Sequence, residues 1–202
     1  MTAGAILAGG GATRYGGEPK GLKQVAGERI IDRVARVLTE ALGAPPLLIA
    51  NAPDADAWDT GLRLARDLRT GAGALGGIHA AVSQAPAPVV CVAWDMPFVT
   101  VPLVRALAAG LAGADAVLPE SEGRRGLEPL CAAYGPACLA PIEASLDRGD
   151  LRAIAFHGAV RVEVLPLELV RTFGDPARLF FNVNTANDLR EAEALWRHAS
   201  SA

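Results

Sequence analysis

The chain has no run near the roughly 20 consecutive apolar residues that a membrane-spanning helix needs. Its first apolar stretch, residues 3–8, is too short for a secretory core and has no basic segment before it. The expectation is a cytoplasmic protein without a membrane partner. Basic runs are equally scarce: the longest is Arg124-Arg125, and the formal net charge is -3. A polyanionic backbone needs a clustered cationic footprint, so no nucleic-acid partner is expected. Three cysteines, Cys91, Cys131 and Cys138, form an odd set without CxxC spacing, which argues against a disulfide framework and for reduced thiols. Aromatic residues make up only 5%, beside 22 glycines and 14 prolines, which describes a small-side-chain protein with many turns. There is no internal repeat and no low-complexity stretch long enough to imply disorder.

At 202 residues and 51% hydrophobic content there is ample material for one buried core, and residues 1–202 are read as one domain. Short apolar runs bounded by turn residues recur: AGAILA from residue 3, LLIA at 47–50, LRLA at 62–65, VVCVA at 89–93, DAVL at 115–118 and LCAAY at 130–134. Helix-period segments lie between them. In residues 30–42, Ile30, Val34, Val37, Leu38 and Ala41 share a face opposite Asp32, Arg33, Arg36 and Glu40. Similar segments follow at about 75–85, 101–111 and 136–147, and Thr185 with Asp188 has the spacing of a reciprocal cap on a last helix. Strand alternating with helix predicts an α/β fold: a Rossmann-like three-layer sandwich around a mostly parallel sheet. Residues 119–128, PESEGRRGLE, break the pattern and read as an exposed loop or β-ribbon edge.

Two segments carry chemistry. The first is LAGGGATRYGGEPKG, residues 7–21, which sets six glycines around Arg14 and Lys20 directly after the first strand. Glycines let backbone amides approach a phosphate chain, and the two cations suit a triphosphate and a departing pyrophosphate. A Walker loop would place its lysine after the last glycine and before Ser or Thr, whereas Lys20 follows Pro19 and precedes Gly21. A dinucleotide fingerprint starting at Gly9 fails too, because its third glycine position holds Arg14 and the second strand ends in Asn51 instead of an acid. A merely flexible turn would not require the interleaved cations. The second segment is VVCVAWDMPF, whose strand ends in Asp95, a hard oxygen ligand where open α/β sheets bind ligands. Mg²⁺ takes one or two protein carboxylates and completes its shell with phosphate oxygens and water. The competing role for Asp95, capping the next helix, falls more naturally to Thr100.

Together with FFNVNTANDL near the end, these segments resemble the molybdenum cofactor guanylyltransferase family, essentially along the whole chain. The glycine loop and aspartate alone indicate the wider nucleotidyltransferase superfamily; NVNT before a helix and RRGLEPLCAAY narrow it. The resemblance implies that Leu7, Ala8, Gly9 and Gly10 contact GTP, Lys20 its phosphates and Asp95 the metal. It sets Asn51 and Asp67 on the guanine and ribose side, and Gly76-Gly77 at a helix start against the nucleotide. It assigns Asn182 and Asn184, which share a side of an extended segment, to the pterin pocket, although turn and cap chemistry beside Thr185 would also use asparagine. His79 reads as structural. Three positions depart from the family pattern: Tyr15 for methionine, Met96 for threonine and Glu128 for histidine.

The implied reaction moves GMP from GTP to molybdopterin or its metal-loaded form, with Mg²⁺ and release of pyrophosphate; a cofactor-insertion protein or molybdoenzyme chaperone is a further implied partner. An anionic phosphate acceptor needs no general base, so the lack of a candidate catalytic histidine is no objection. Two alternatives stay open: a cytidylyltransferase of the same or another phosphorylated acceptor, against which LAGG in place of LAAG weighs, and a nucleotide-binding module without turnover.

Overall fold

A computed structural model describes residues 1–9, 19–123 and 126–199. The alternation of side chains along the first strand, β1 (Ala3–Ala8), divides the interior. Ile6 and Ala8 enter one apolar cluster, while Ala5 and Leu7 enter another on the opposite side. A strand apolar on both faces must be covered on both, and helices do so here. α1 (Ile30–Leu42), α3 (Val101–Gly110) and α7 (Ala186–Ala199) contribute to the first cluster, with α1 packed along α3. α2 (Gly73–Gln84) and α4 (Leu139–Asp147) contribute to the second and pack on each other. Ile6, Leu38, Leu75 and Ile142 are fully withdrawn from water, each worth about 1.5–3 kcal/mol of burial.

The main sheet holds β4 (Leu47–Ala50), β5 (Arg63–Ala65), β6 (Val89–Ala93), β7 (Ala116–Pro119), β8 (Cys131–Tyr134) and β9 (Val162–Leu165) besides β1, in the order β5-β4-β1-β6-β8-β7-β9. Pairing is parallel except at β8, which runs antiparallel to both β6 and β7. Every apolar run named above is therefore a strand, and the mostly parallel three-layer architecture holds. β9 goes unannounced because its four residues VEVL are half-exposed at the sheet edge. A two-stranded hairpin, β2 (Gln24–Val25) and β3 (Glu28–Arg29), precedes α1 and turns through Ala26 and Gly27, at φ 53° and 78°. Positive φ at both central residues is the turn that matches strand twist.

The helices follow their local signals. α1 ends at Gly43, whose φ of 80° lets its N–H return to the Thr39 carbonyl. The expected 136–147 helix divides into a 3-10 turn at Pro136–Cys138 and α4. α3 starts at Thr100, but the hydroxyl of that residue donates to the Phe173 carbonyl and leaves the helix amides alone. At α7 the anticipated box forms with aspartate in the reciprocal position. The Asp188 N–H donates to Thr185 Oγ1 at 3.2 Å, and Asp188 Oδ2 accepts from the N–H groups of Thr185 and Asn184 at 2.8 Å. Two short helices, α5 (Leu167–Arg171) and α6 (Pro176–Leu179), precede that segment. In the 119–128 stretch a single antiparallel bridge joins Glu120 and Leu127. Among the described residues no helix is long and apolar enough to cross a membrane.

Candidate active site

The chain extends the sheet from β1 to β4 and β5 on one side, then returns to place β6 against the other side of β1. Such a reversal opens a crevice beyond the carboxyl ends of the two strands. There a cavity of about 260 Å³ is lined by Leu7 and Gly9 from β1 and its exit, Asn51 after β4, Asp67 after β5, Gly73 and Gly77 from α2, Trp94 and Asp95 after β6, and Asn182 and Asn184 before α7. Residues assigned from three distant segments thus meet in one cleft. Gly10 and Arg14, with the Tyr15 departure, lie outside the described residues. Ala8 is buried on the opposite side of β1, in the cluster with α1, so its side chain does not face the cleft.

Lys20 opens a 3-10 turn, Lys20–Leu22, and its ammonium meets two residues of the cleft lining, Asn184 and Asp95. Nζ donates to Asn184 Oδ1 at 2.6 Å and stands 3.8 Å from Asp95 Oδ2, with both charged side chains only 12% exposed. The Asp95 carbonyl accepts from the Val183 N–H at 2.9 Å, so the end of β6 and the NVN segment are tied together directly. Burial raises the Asp95 pKa above the ordinary carboxylate value, and Lys20 works against that rise. Asn51 Oδ1 accepts from the Asp67 N–H at 2.8 Å, which ties the exits of β4 and β5 together at one wall of the cleft. Asp67 is also raised by burial, with Asn51 and His79 opposing.

The adjacent glycines of α2, Gly76 and Gly77, differ. Gly76 is buried, and a Cβ there would lie 2.7 Å from Ala72 Cβ and 3.1 Å from Asp67 Oδ2, so packing dictates the absence of a side chain. At Gly77 the nearest atom would be Leu7 Cδ2 at 3.7 Å, an ordinary contact, and this residue faces the cleft. His79 is buried behind them, 3.4 Å from Glu143 Oε1, as a structural residue would be. Asn182 Nδ2 donates to the Phe180 carbonyl, 2.8 Å away. Met96 is buried in the core, and Glu128 bonds the Leu130 N–H at 3.3 Å. Glu128 also lines a larger cavity of about 830 Å³ that adjoins the cleft through Ala74 and Leu130 and carries Asp150 and Arg152.

Sequence reasoning passed over Trp94, although an indole directly before the strand-end aspartate marks a large ring that must be housed at the cleft. It is 2% exposed and stacked on Trp58, with ring centroids 5.1 Å apart. The donor set suits a magnesium ion that arrives with its own oxygen ligands. The described residues hold no cluster of three or more His, Cys, Asp or Glu able to bind a metal alone, and two carboxylates, Asp67 and Asp95, line the cleft.

The family model described as the MobA-like NTP transferase domain matches residues 4–162. A protein of Pelotomaculum thermopropionicum named probable molybdenum cofactor guanylyltransferase is 39% identical over 95% of this chain and 92% of its own length. The molybdenum cofactor guanylyltransferase of Desulfosudis oleivorans is 34% identical over 95% and 94%. The crystal structure of molybdopterin-guanine dinucleotide biosynthesis protein A from Archaeoglobus fulgidus superimposes with a TM-score of 0.80 at 28% identity, covering 98% of this chain and 100% of that one. With a nucleotidyltransferase fold and a cleft that gathers a lysine, a buried carboxylate and two asparagines, the chain belongs to the molybdenum cofactor guanylyltransferase family of nucleotidyltransferases.

Proposed function

We propose that the protein transfers GMP from GTP to molybdopterin or its metal-loaded form, with Mg²⁺, in the cytoplasm. The observation that carries this reading is the Lys20 ammonium 3.8 Å from Asp95 at the junction of β1 and β6: one cation and one carboxylate where a triphosphate with its counter-ion requires both. Asp95 would hold Mg²⁺, whose contribution is to offset charge on the phosphates. An acceptor phosphate oxygen attacks the α-phosphorus of GTP, the bond from that phosphorus to the oxygen bridging to the β-phosphate breaks, and pyrophosphate departs. Lys20 and Arg14 counter the charge that builds on the leaving group. Asn51 and Asp67 bind the guanosine, with Leu7, Gly9 and Gly77 as the surfaces against which it packs. Asn182 and Asn184 orient the acceptor, whose bulk occupies the adjoining larger cavity. Because the acceptor phosphate is already anionic at neutral pH, the remaining work is alignment and electrostatics.

The test measures pyrophosphate from the purified protein with Mg²⁺, GTP and molybdopterin. Release that Lys20→Ala, Asp95→Asn abolishes in a folded protein supports the assignment, and equal release from that double variant refutes it. Selective thermal stabilisation by GTP over CTP and ATP is expected; stabilisation by CTP alone would make the chain a cytidylyltransferase.

A further inference from the structure

We propose that Trp94 is a positioning residue: its indole, in contact with Gly21 and stacked on Trp58, sets the spacing of Lys20 and Asp95. The inference rests on the roles just proposed for those two side chains. Gly21 follows Lys20 and Trp94 precedes Asp95, so each charged residue is one peptide bond from the contact. A Cβ on Gly21 would lie 2.4 Å from Trp94 Cε3, 2.8 Å from Cδ2 and 3.2 Å from Cγ, against that edge of the indole. The lysine turn therefore touches the ring with backbone, the closest approach that chain chemistry permits.

The indole also stacks on Trp58, at 5.1 Å between centroids and 20° between planes. Trp58 is itself fixed: its Nε1 donates to Asp54 Oδ2 at 3.1 Å, and its carbonyl accepts from Arg29 Nη1 at 2.7 Å. Arg29 is paired with Asp32 in the first turn of α1. The indole is thus a spacer on a rigid base. The backbone N–H of Trp94 donates to the Leu7 carbonyl at 3.2 Å, while its Nε1 is buried with no hydrogen-bond partner among the described residues. A buried donor left unmade costs free energy, and a tryptophan kept there despite it serves by its size and flat shape.

The test compares Trp94→Leu, Gly21→Ala and the double variant by steady-state kinetics, by calorimetric GTP affinity and by melting temperature. Trp94→Leu removes the ring atoms that the Gly21 backbone rests against and Gly21→Ala adds an atom at the same contact, so each should lower kcat by about 10- to 100-fold, as a displacement near 1 Å does. The GTP Kd should change by no more than about threefold, because the loss falls on the transition state. The double variant, in which the added methyl occupies room left by the missing ring atoms, should recover kcat to within about threefold of the starting enzyme, a coupling expected of residues in contact. Trp94→Phe, which keeps a ring on Trp58, serves if Trp94→Leu fails to fold, and should lose kcat in the same direction by about threefold. Unchanged kcat in both Trp94 variants, a loss confined to KM, or strictly additive losses in the double variant would overturn the proposal. If Lys20→Ala and Asp95→Asn themselves retain activity, it is the underlying functional reading that fails.

Discussion

Asp95 should make the free protein less stable than its neutral isostere would, and the sign can be worked from the site. The carboxylate and the Lys20 ammonium are each only 12% exposed and stand 3.8 Å apart. At an effective dielectric of about 20 their attraction is about 4 kcal/mol, while withdrawing ions from water costs several kcal/mol for each. Burial outweighs Lys20 in setting the Asp95 pKa, which lies above its ordinary value of 3.8. A carboxyl group shifted upward on folding supports the native state fully below pH 3.8 and loses that support as pH rises through the folded pKa. At neutral pH the charge is a net cost. Asp95→Asn removes it and keeps the shape, and Lys20 retains its 2.6 Å bond to Asn184. The expected outcome is a higher Tm at neutral pH, the direction that the raised Asp95 pKa dictates, with kcat for GMP transfer down about 10²- to 10³-fold. Melts followed by circular dichroism in EDTA, without nucleotide, from pH 3.5 to 8 would show the two proteins converging in acid and diverging toward neutrality. A lower Tm for Asp95→Asn at pH 7, or a difference that does not vary with pH, would refute the reasoning.

The same electrostatics predicts that the acidic limb of kcat/KM, which reports the free enzyme, lies above the ordinary aspartate range, and that Lys20→Met moves it further up; pyrophosphate release against pH checks both. Gly76→Ala should cost about 1–3 kcal/mol from overpacking against Ala72 and Asp67, read by chemical denaturation. Gly77→Ala should leave stability equal or slightly higher while raising KM for GTP, since its methyl enters the cleft and not the core. Asp188→Ala should cost about 0.5–2 kcal/mol as a lost cap and raise KM for the acceptor more than for GTP, because Asp188 fixes the backbone of Asn184.

The parts of the fold legible in the sequence are those with a strong period. β1, β4 and β6 are apolar on both faces, and α1 separates Ile30, Val34 and Leu38 from Asp32, Arg36 and Glu40, so burial alone determines their type and nearly their ends. β9 and the β2–β3 hairpin escaped notice for the converse reason. Val162 to Val164 are partly or wholly exposed, and Gln24–Arg29 relies on the turn at Ala26, a residue with no special preference for positive φ, and on a bond from the Ala26 N–H to Glu193 in α7. The antiparallel β8 could not be told from its neighbours because LCAAY is as apolar as a parallel strand.

For the site, residue type was legible and proximity was not. Lys20 and Asn184 read as members of separate subsites, one for phosphate and one for acceptor, yet they share a 2.6 Å hydrogen bond across 164 residues of sequence. Periodicity tells which way a side chain points; it says nothing of how far away its neighbour lies. That distance depends on β6 returning to the far side of β1 and on the Val183 N–H reaching the Asp95 carbonyl, contacts made by backbone atoms that every residue possesses and no motif encodes. The consequence is chemical: one ammonium lies between the carboxylate assigned to the metal and the amide assigned to the acceptor. Under the roles proposed above, a triphosphate that draws Lys20 toward itself would free the oxygen of Asn184 for the acceptor, and nucleotide and acceptor binding would be coupled through a single side chain.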